Sequence, residues 1–274
     1  LSLSLSPRPL RELPPCTPSA ATRIGTSHIP STIKEKPTPT SDEIKSAAAE
    51  SKIFLGTFDP ATVGSWYGLA DPIHCYHDLS RIPHLLVAGR TGAGKSVLLR
   101  NYLHAADLAP EAYKTLHITS EVDMGHASKH FPIEKAPHAL DLVVRSMDAR
   151  EKKLSEAGLT NWDELRRTTK DTDAKTLLVI VDGLELATGG PLRHIVTDGH
   201  DPARALTNIM RRGRGLGVHL IATTQYDTPR DWVDWERKLP PFTTTLAFTP
   251  RGYGRATWYE GKETASPVSY THLR

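Results

Sequence analysis

Residues 83–103 constrain this chain more than any other stretch. They read Pro-His-Leu-Leu-Val-Ala, then Gly89-Arg90-Thr91-Gly92-Ala93-Gly94-Lys95-Ser96, then Val97-Leu-Leu-Arg-Asn-Tyr-Leu103. The octapeptide matches G-x-x-x-x-G-K-[ST] in full. Chance would produce such a match in about one chain in a hundred of this size. Its setting narrows the reading further: the apolar run His84 to Ala88 predicts a buried strand, and a helix is expected from near Ser96 to about Ala106. Glycines at 89, 92 and 94 let backbone N–H groups curl round a phosphate chain without Cβ clashes. The amides from Gly89 to Val97 would form the cradle, with the helix dipole aimed at the phosphates. Lys95 is placed to reach the β- and γ-phosphates of ATP, and the Ser96 hydroxyl to ligate Mg²⁺.

A chain of 274 residues has room for one full α/β domain with extensions. Eight of its 21 prolines fall in the first 40 residues, among Ser, Thr, Arg and Lys. Such a segment buries too little apolar surface to offset its ordering entropy. Residues 1–52 therefore read as a disordered linker, with a short helix expected over Asp42 to Lys52. Formal charge is +3, from 34 basic and 31 acidic residues. A balance this even does not by itself argue for nucleic acid. Cys16 and Cys75 are far apart and lack metal-ligand spacing, which fits free thiols in a reducing, cytoplasmic compartment. No apolar run approaches the ~20 residues that cross a bilayer. The chain does not begin with Met and reads as a fragment, with any membrane anchor upstream of it. The closing Pro-Val-Ser-Tyr-Thr-His-Leu-Arg resembles translated adaptor sequence, so 263–274 are taken as a truncated or artefactual tail.

Residues 53–82 read as a lead-in hairpin: an edge strand at Ile53 to Gly56, then turns at Gly64, Gly68 and Pro72. His74, Cys75, His77 and Asp78 crowd there, but their spacing fits no common zinc pattern. A strand alternating inward and outward is the plainer reading. Thr115 to Thr119 is a second strand and Met124 to Pro137 a loop. His126 and His130 lie four apart in that loop without a helix to align them. Ala139 to Gly158 reads as a helix with Leu140, Val143, Val144, Met147 and Leu154 on one face. Its charged side (Arg145, Asp148, Arg150, Glu151, Lys152, Lys153) reads as solvated, and Gly158 as its stop.

Thr176 to Asp182 is the clearest buried strand. Its five consecutive apolar residues imply that both faces are covered, as in a parallel sheet with helices on each side. Asp182 ends it where a Mg²⁺-holding acid is expected. Pro202 to Arg212 is helical, with Arg211, Arg212 and Arg214 clustered at its end. Val218 to Gln225 is another buried strand, and Gln225 is placed to contact the γ-phosphate or orient water. Thr243 to Phe248 reads as the last strand. The order of elements gives an α/β fold of the P-loop NTPase, RecA-like type, its site at the carboxyl ends of a mainly parallel sheet.

Four blocks in this order resemble the motor domain of the FtsK/SpoIIIE DNA translocases, over about residues 80 to 250. They are Pro83 to Val97, Met147 to Asn161 (ending Ala-Gly-Leu-Thr-Asn, against the family's AGVRN), the acid-ended strand, and Arg212 to Gln225. The last stands against the family's GRAAGIHLVLATQ. The resemblance implies a motor unit over 83–262 that hydrolyses ATP with Mg²⁺. It also implies double-stranded DNA as the partner and a homo-oligomeric ring, a hexamer, with ATP between neighbours. Arg211, Arg212 or Arg214 would then reach a neighbour's phosphates or the DNA. The implied setting is cytoplasmic, at the inner face of the membrane through a segment outside this chain, in chromosome segregation or conjugative transfer.

Three departures qualify this. The family's Asp-Glu is Asp182-Gly183 here, which leaves Glu185 as the substitute base and turnover in question. Its Asp-Pro-Lys after the second strand is replaced by Thr119-Ser-Glu-Val-Asp123. Its Arg-Pro after the glutamine is Tyr226-Asp227. A type VII-like protein-secretion ATPase and a non-hydrolysing ATP-binding module are the competing readings. A small-molecule kinase fits the phosphate loop but not the later blocks.

Overall fold

The computed structural model describes residues 39–58, 73–120, 129–169, 173–187, 201–225, 244–248, 255–260 and 264–269. In chain order these hold α1 (Ser41–Ala49), β1 (Lys52–Phe58), β2 (Ile73–Asp78), β3 (His84–Ala88), α2 (Lys95–Leu108), β4 (Tyr113–Thr119) and β5 (Lys129–Pro132). Then come α3 (Ala136–Glu156), α4 (Trp162–Thr168), β6 (Thr176–Val181), α5 (Leu184–Ala187), α6 (Pro202–Arg212), β7 (Val218–Thr224), β8 (Thr244–Phe248), β9 (Arg255–Glu260) and β10 (Thr264–Ser269). All ten strands join one sheet in the order β2-β1-β10-β9-β8-β3-β7-β6-β4-β5. From β8 to β5 every pairing is parallel; from β8 to β2 every pairing is antiparallel.

The parallel half is covered on both faces, and the period of two along its strands shows it. Leu85 and Val87 of β3 enter one core, whereas Leu86 enters the other. Leu178 and Ile180 part in the same way from Val179 and Val181, and Ile221 from Leu220 and Ala222. The first core gathers α1, α2 and β1; the second gathers α3, α4 and α6. Every residue of β3, β6 and β7 is buried, as expected of parallel strands with helices on each side.

Several expectations need correction. The packed body starts earlier than 53, because α1 buries Ile44 and Ala48, and the Tyr113 hydroxyl donates to the Ala48 carbonyl at 2.6 Å. β1 is not an edge strand: it lies between β2 and β10. Its partner β2 supplies the antiparallel pairing read as a hairpin, while Gly64, Gly68 and Pro72 lie outside the described residues. The stretch read as a loop from Met124 to Pro137 contains β5, a 3₁₀ turn at Ile133–Lys135 and the start of α3. β5 is four residues long and ends in proline, too short to show a period. Thr244–Phe248 is followed by β9 and β10, and β10 falls within the stretch taken as a tail.

The face of α3 read as solvated is not uniform, since Arg150 on it is buried. Its Nη1 donates to the carbonyls of Leu216 (2.7 Å) and Gly217 (2.9 Å), and its Nη2 to that of Lys175 (2.8 Å). The guanidinium lies 4.4 Å from the Trp162 ring centroid. Gly217, at φ +62°, makes this junction possible: a Cβ there would meet Trp162 Cδ1 at 2.4 Å. Arg212 adds an exposed tie from α6 to α3, donating to Asp148 (2.8 Å) and Glu151 (2.7 Å).

Three histidines are buried where β2, β3 and β7 meet the helices. His77 Nε2 lies 2.7 Å from the Ile82 carbonyl, which only accepts, so Nε2 carries the proton and Nδ1 accepts from the Tyr102 hydroxyl at 2.7 Å. His84 Nδ1 accepts from the Leu220 amide at 3.0 Å, and His219 Nδ1 donates to the Pro83 carbonyl at 3.1 Å. Burial pushes His77 and His84 down to about 4 and His219 down to about 3. The unfolded chain therefore takes up protons below its ordinary histidine value of about 6.5, protons the folded chain refuses until pH 3–4. Stability should fall with pH across that window, by roughly 1.4 kcal/mol per pH unit for each histidine. Urea unfolding at pH 7, 6 and 5 checks this; a midpoint that does not move contradicts it.

Candidate nucleotide site

The parallel register brings the carboxyl ends of three strands to one side of the sheet. Ala88 of β3 pairs with Thr224 of β7, and Val181 of β6 with Ala222 of β7. One residue further on, Gly89 lies level with Gln225 and Asp182 level with Thr223, at the carboxyl end of the sheet. The Gly89 N–H donates to the Thr224 carbonyl at 3.1 Å, fixing the start of the loop to the end of β7.

From there the loop runs through Arg90, Thr91 and Gly92, all exposed, to the half-buried Ala93 and Gly94. The Ala93 N–H donates to the Arg90 carbonyl at 3.1 Å, closing a turn. Gly94 is the N-cap of α2 at φ +106°, a conformation that a side chain would strain. Having no side chain, Gly94 cannot cap the helix, and the first turn of α2 holds no acidic residue. The leading amides and the positive end of a 14-residue helix are thus left to an anion. Ser96 and Val97, in that first turn, are half-buried.

Lys95 folds back into the loop, where its ammonium donates to the carbonyls of Gly89 (2.7 Å) and Arg90 (3.0 Å). Burial draws its pKa below the ordinary lysine value, opposed by the carboxylates of Asp182 and Glu185. Those two carboxylates come from a strand end and a helix more than 80 residues away in sequence. The fold has therefore brought together the lysine and both acids singled out from the sequence.

Asp182 is half-buried at the end of β6. Its Oδ2 lies 3.5 Å from Ser96 Oγ, and its Oδ1 accepts from the Thr223 hydroxyl at 2.6 Å. Two hard oxygen donors side by side next to a phosphate cradle suit Mg²⁺, which takes few protein ligands and completes its shell with water and phosphate oxygens. The residues present fit that ion. Glu185, in α5, accepts the Gln225 N–H on Oε1 at 2.8 Å, while the Gln225 side chain is exposed.

Thr223 was missed in the sequence. It stands beside Asp182 only because β6 and β7 pair in parallel, a fact no local pattern carries. The acid-ended strand and the Thr-Thr-Gln run are each legible; their adjacency is not.

Other candidates lie elsewhere. Arg211 and Arg214 are exposed at the end of α6 and in the 3₁₀ turn before β7, at the amino end of the parallel strands and opposite the cradle. Arg212 is committed to Asp148 and Glu151. On β2, Cys75 and His77 are buried, whereas His74 and Asp78 on the alternate positions are half-buried. Asp78 accepts from the Ser80 amide and hydroxyl. His130 packs on His117, ring centroids 5.9 Å apart; His126 lies outside the described residues. Among the described residues no three His, Cys, Asp or Glu side chains converge as a metal cluster, and no helix is long and apolar enough to cross a membrane.

Comparisons with known proteins bear on the family and the fold. The FtsK/SpoIIIE family model matches residues 70–230. The DNA translocase FtsK of Chlorobaculum tepidum is 34% identical over 170 residues, covering 54% of this chain and 20% of that protein. The DNA translocase SpoIIIE of Bacillus subtilis is 30% identical over 168 residues, covering 54% and 20%. The matched region thus spans about a fifth of these relatives. Among solved structures, EccC of Thermomonospora curvata (ATPases 2 and 3, with a signal sequence peptide) superposes with a TM-score of 0.62 at 16% identity, covering 81% of this chain and 43% of that one. The pCW3 conjugation coupling protein TcpA, in a monomer form with ATPγS, gives 0.59 at 17% identity, covering 82% and 67%. These structural likenesses establish the P-loop ATPase fold.

Proposed function

The chain belongs to the FtsK/SpoIIIE family, and from that premise we propose that it is the ATP-hydrolysing motor of an assembly that moves double-stranded DNA. One observation carries the reading. The matched stretch takes in the phosphate loop, Asp182 and Gln225, and these meet at one end of the sheet. The relatives named as DNA translocases bear on the substrate.

In this reading the loop amides from Gly89 to Val97 and the Lys95 ammonium bind the triphosphate, and Ser96 with Asp182 hold Mg²⁺. The ion, when bound, neutralises charge developing on the phosphate oxygens. Glu185 orients or deprotonates the attacking water in place of the acid that Gly183 lacks, and Gln225 contacts the γ-phosphate. Arg211 and Arg214 face outward to a neighbouring subunit or to the DNA backbone. Arg212 is the least suited of the three, its charge being engaged within the chain. A homo-oligomeric ring at the cytoplasmic face of a membrane, with residues 83–262 as its motor unit and 53–82 as a lead-in, completes the proposal.

ATP hydrolysis with and without linear duplex DNA, at several salt concentrations, tests it. Duplex DNA should raise turnover several-fold, and the stimulation should weaken steeply with salt, because backbone contacts release counterions. Turnover indifferent to duplex DNA would remove DNA from the proposal. Within the site, Glu185→Gln should lower turnover by roughly 10²-fold while nucleotide affinity holds. Unchanged turnover would take Glu185 out of its role.

A further inference from the structure

The Thr223 hydroxyl has a single proton, and the fold settles where it goes. The Gly183 N–H can only donate, and it points at Thr223 Oγ1 from 2.8 Å. The hydroxyl is therefore an acceptor on that side and gives its own proton to Asp182 Oδ1 at 2.6 Å. Thr223 is 1% exposed, so the chain and not solvent sets this geometry. With Oδ1 held, Asp182 cannot spin freely about its terminal torsion, and its other oxygen stays on the Ser96 side. The same hydroxyl holds the amide of the turn at Gly183, where φ is +93°.

We propose that Thr223 is a positioning residue that aims Asp182 Oδ2 at the magnesium position and pins the turn at Gly183. Gly183 and Thr223, 40 residues apart in sequence, meet in one hydrogen bond. One hydroxyl thus ties the Asp182 carboxylate and the turn that follows it to β7.

The inference rests on the nucleotide reading, and its test separates the two. A fluorescent, non-hydrolysable ATP analogue is titrated against the whole chain across a Mg²⁺ series and in EDTA, for the parent, Thr223→Val and Thr223→Ser. Thr223→Val should raise the Mg²⁺ concentration for half-maximal binding about tenfold, the range seen when the partner of a metal ligand is removed. Affinity in EDTA should stay within about twofold. Thr223→Ser, which keeps the hydroxyl, should follow the parent. A purely structural role would shift the EDTA and Mg²⁺ curves alike and would overturn the inference. So would a Thr223→Val curve that superposes on the parent's. A parent that binds no nucleotide would overturn the nucleotide reading itself. If Thr223→Val does not fold, Thr223→Ala enters the same comparison.

Discussion

Lys95→Ala should reduce ATP turnover and nucleotide affinity by at least about 10²-fold, the largest functional effect expected of any single change in this chain. The ammonium is buried within the loop, where it already makes two short hydrogen bonds, whereas Arg90 is exposed. Hydrogen bonds to a charged group are worth about 1.5–3 kcal/mol each. Exchanging the two carbonyls for phosphate oxygens keeps the bonds and adds opposite charge. Without the lysine, the helix terminus and loop amides face the triphosphate without the buried ammonium, with Asp182 and Glu185 nearby to repel it. Equilibrium binding of labelled ATP and steady-state hydrolysis read the change directly. The variant should fold normally, because Lys95 releases a charge from a buried place instead of leaving one. Parent-like binding by Lys95→Ala would show that the loop is a structural turn.

The largest loss of stability should follow Arg150→Ala, at about 3–5 kcal/mol. One guanidinium serves the carbonyls of Leu216, Gly217 and Lys175. It also lies against the Trp162 ring, whose Nε1–H donates to the same Lys175 carbonyl at 3.2 Å. Truncation removes three hydrogen bonds to a charged group, each worth about 1.5–3 kcal/mol, and strands the Leu216 carbonyl, while the Gly217 and Lys175 carbonyls keep the Leu177 N–H and the Trp162 Nε1–H. It also opens a gap beneath Trp162. Burial lowers the Arg150 pKa to about 10, so the group remains charged through the neutral range. Lysine is no substitute, because one nitrogen on a flexible stem cannot span acceptors on two segments. Urea unfolding of Arg150→Ala, Arg150→Lys and the parent measures this. A loss below about 1 kcal/mol for the alanine variant would mean that water replaces the guanidinium.

The parts of the molecule that could be read from sequence are those whose signal is contiguous. The phosphate loop is eight adjacent residues between a strand and a helix, and the fold repeats that grammar. The apolar run from Leu177 to Val181 could belong only to a strand covered on both faces, and it is. Arg150 was misread because a charged residue on an amphipathic helix normally faces water, and its partners lie some 25 and 66 residues away. Thr223 was missed for a related reason: its role exists only through strand pairing. β5 was lost to its brevity. The clustering of His77, His84 and His219 depends on three strands and could not be counted along one.

The order of strands in space has a consequence for how the molecule is made. β1 is synthesised before β10, yet β10 is its neighbour on one side, and β8, β9 and β10 stand between it and β3. The flank of β3 that β8 will occupy therefore stays open until Thr244 has been synthesised. Unpaired strand edges of this kind invite pairing with other nascent chains. Closure of the sheet is a late event in biosynthesis, and a message broken before β8 would release the strand that carries the phosphate loop as a bare, aggregation-prone margin.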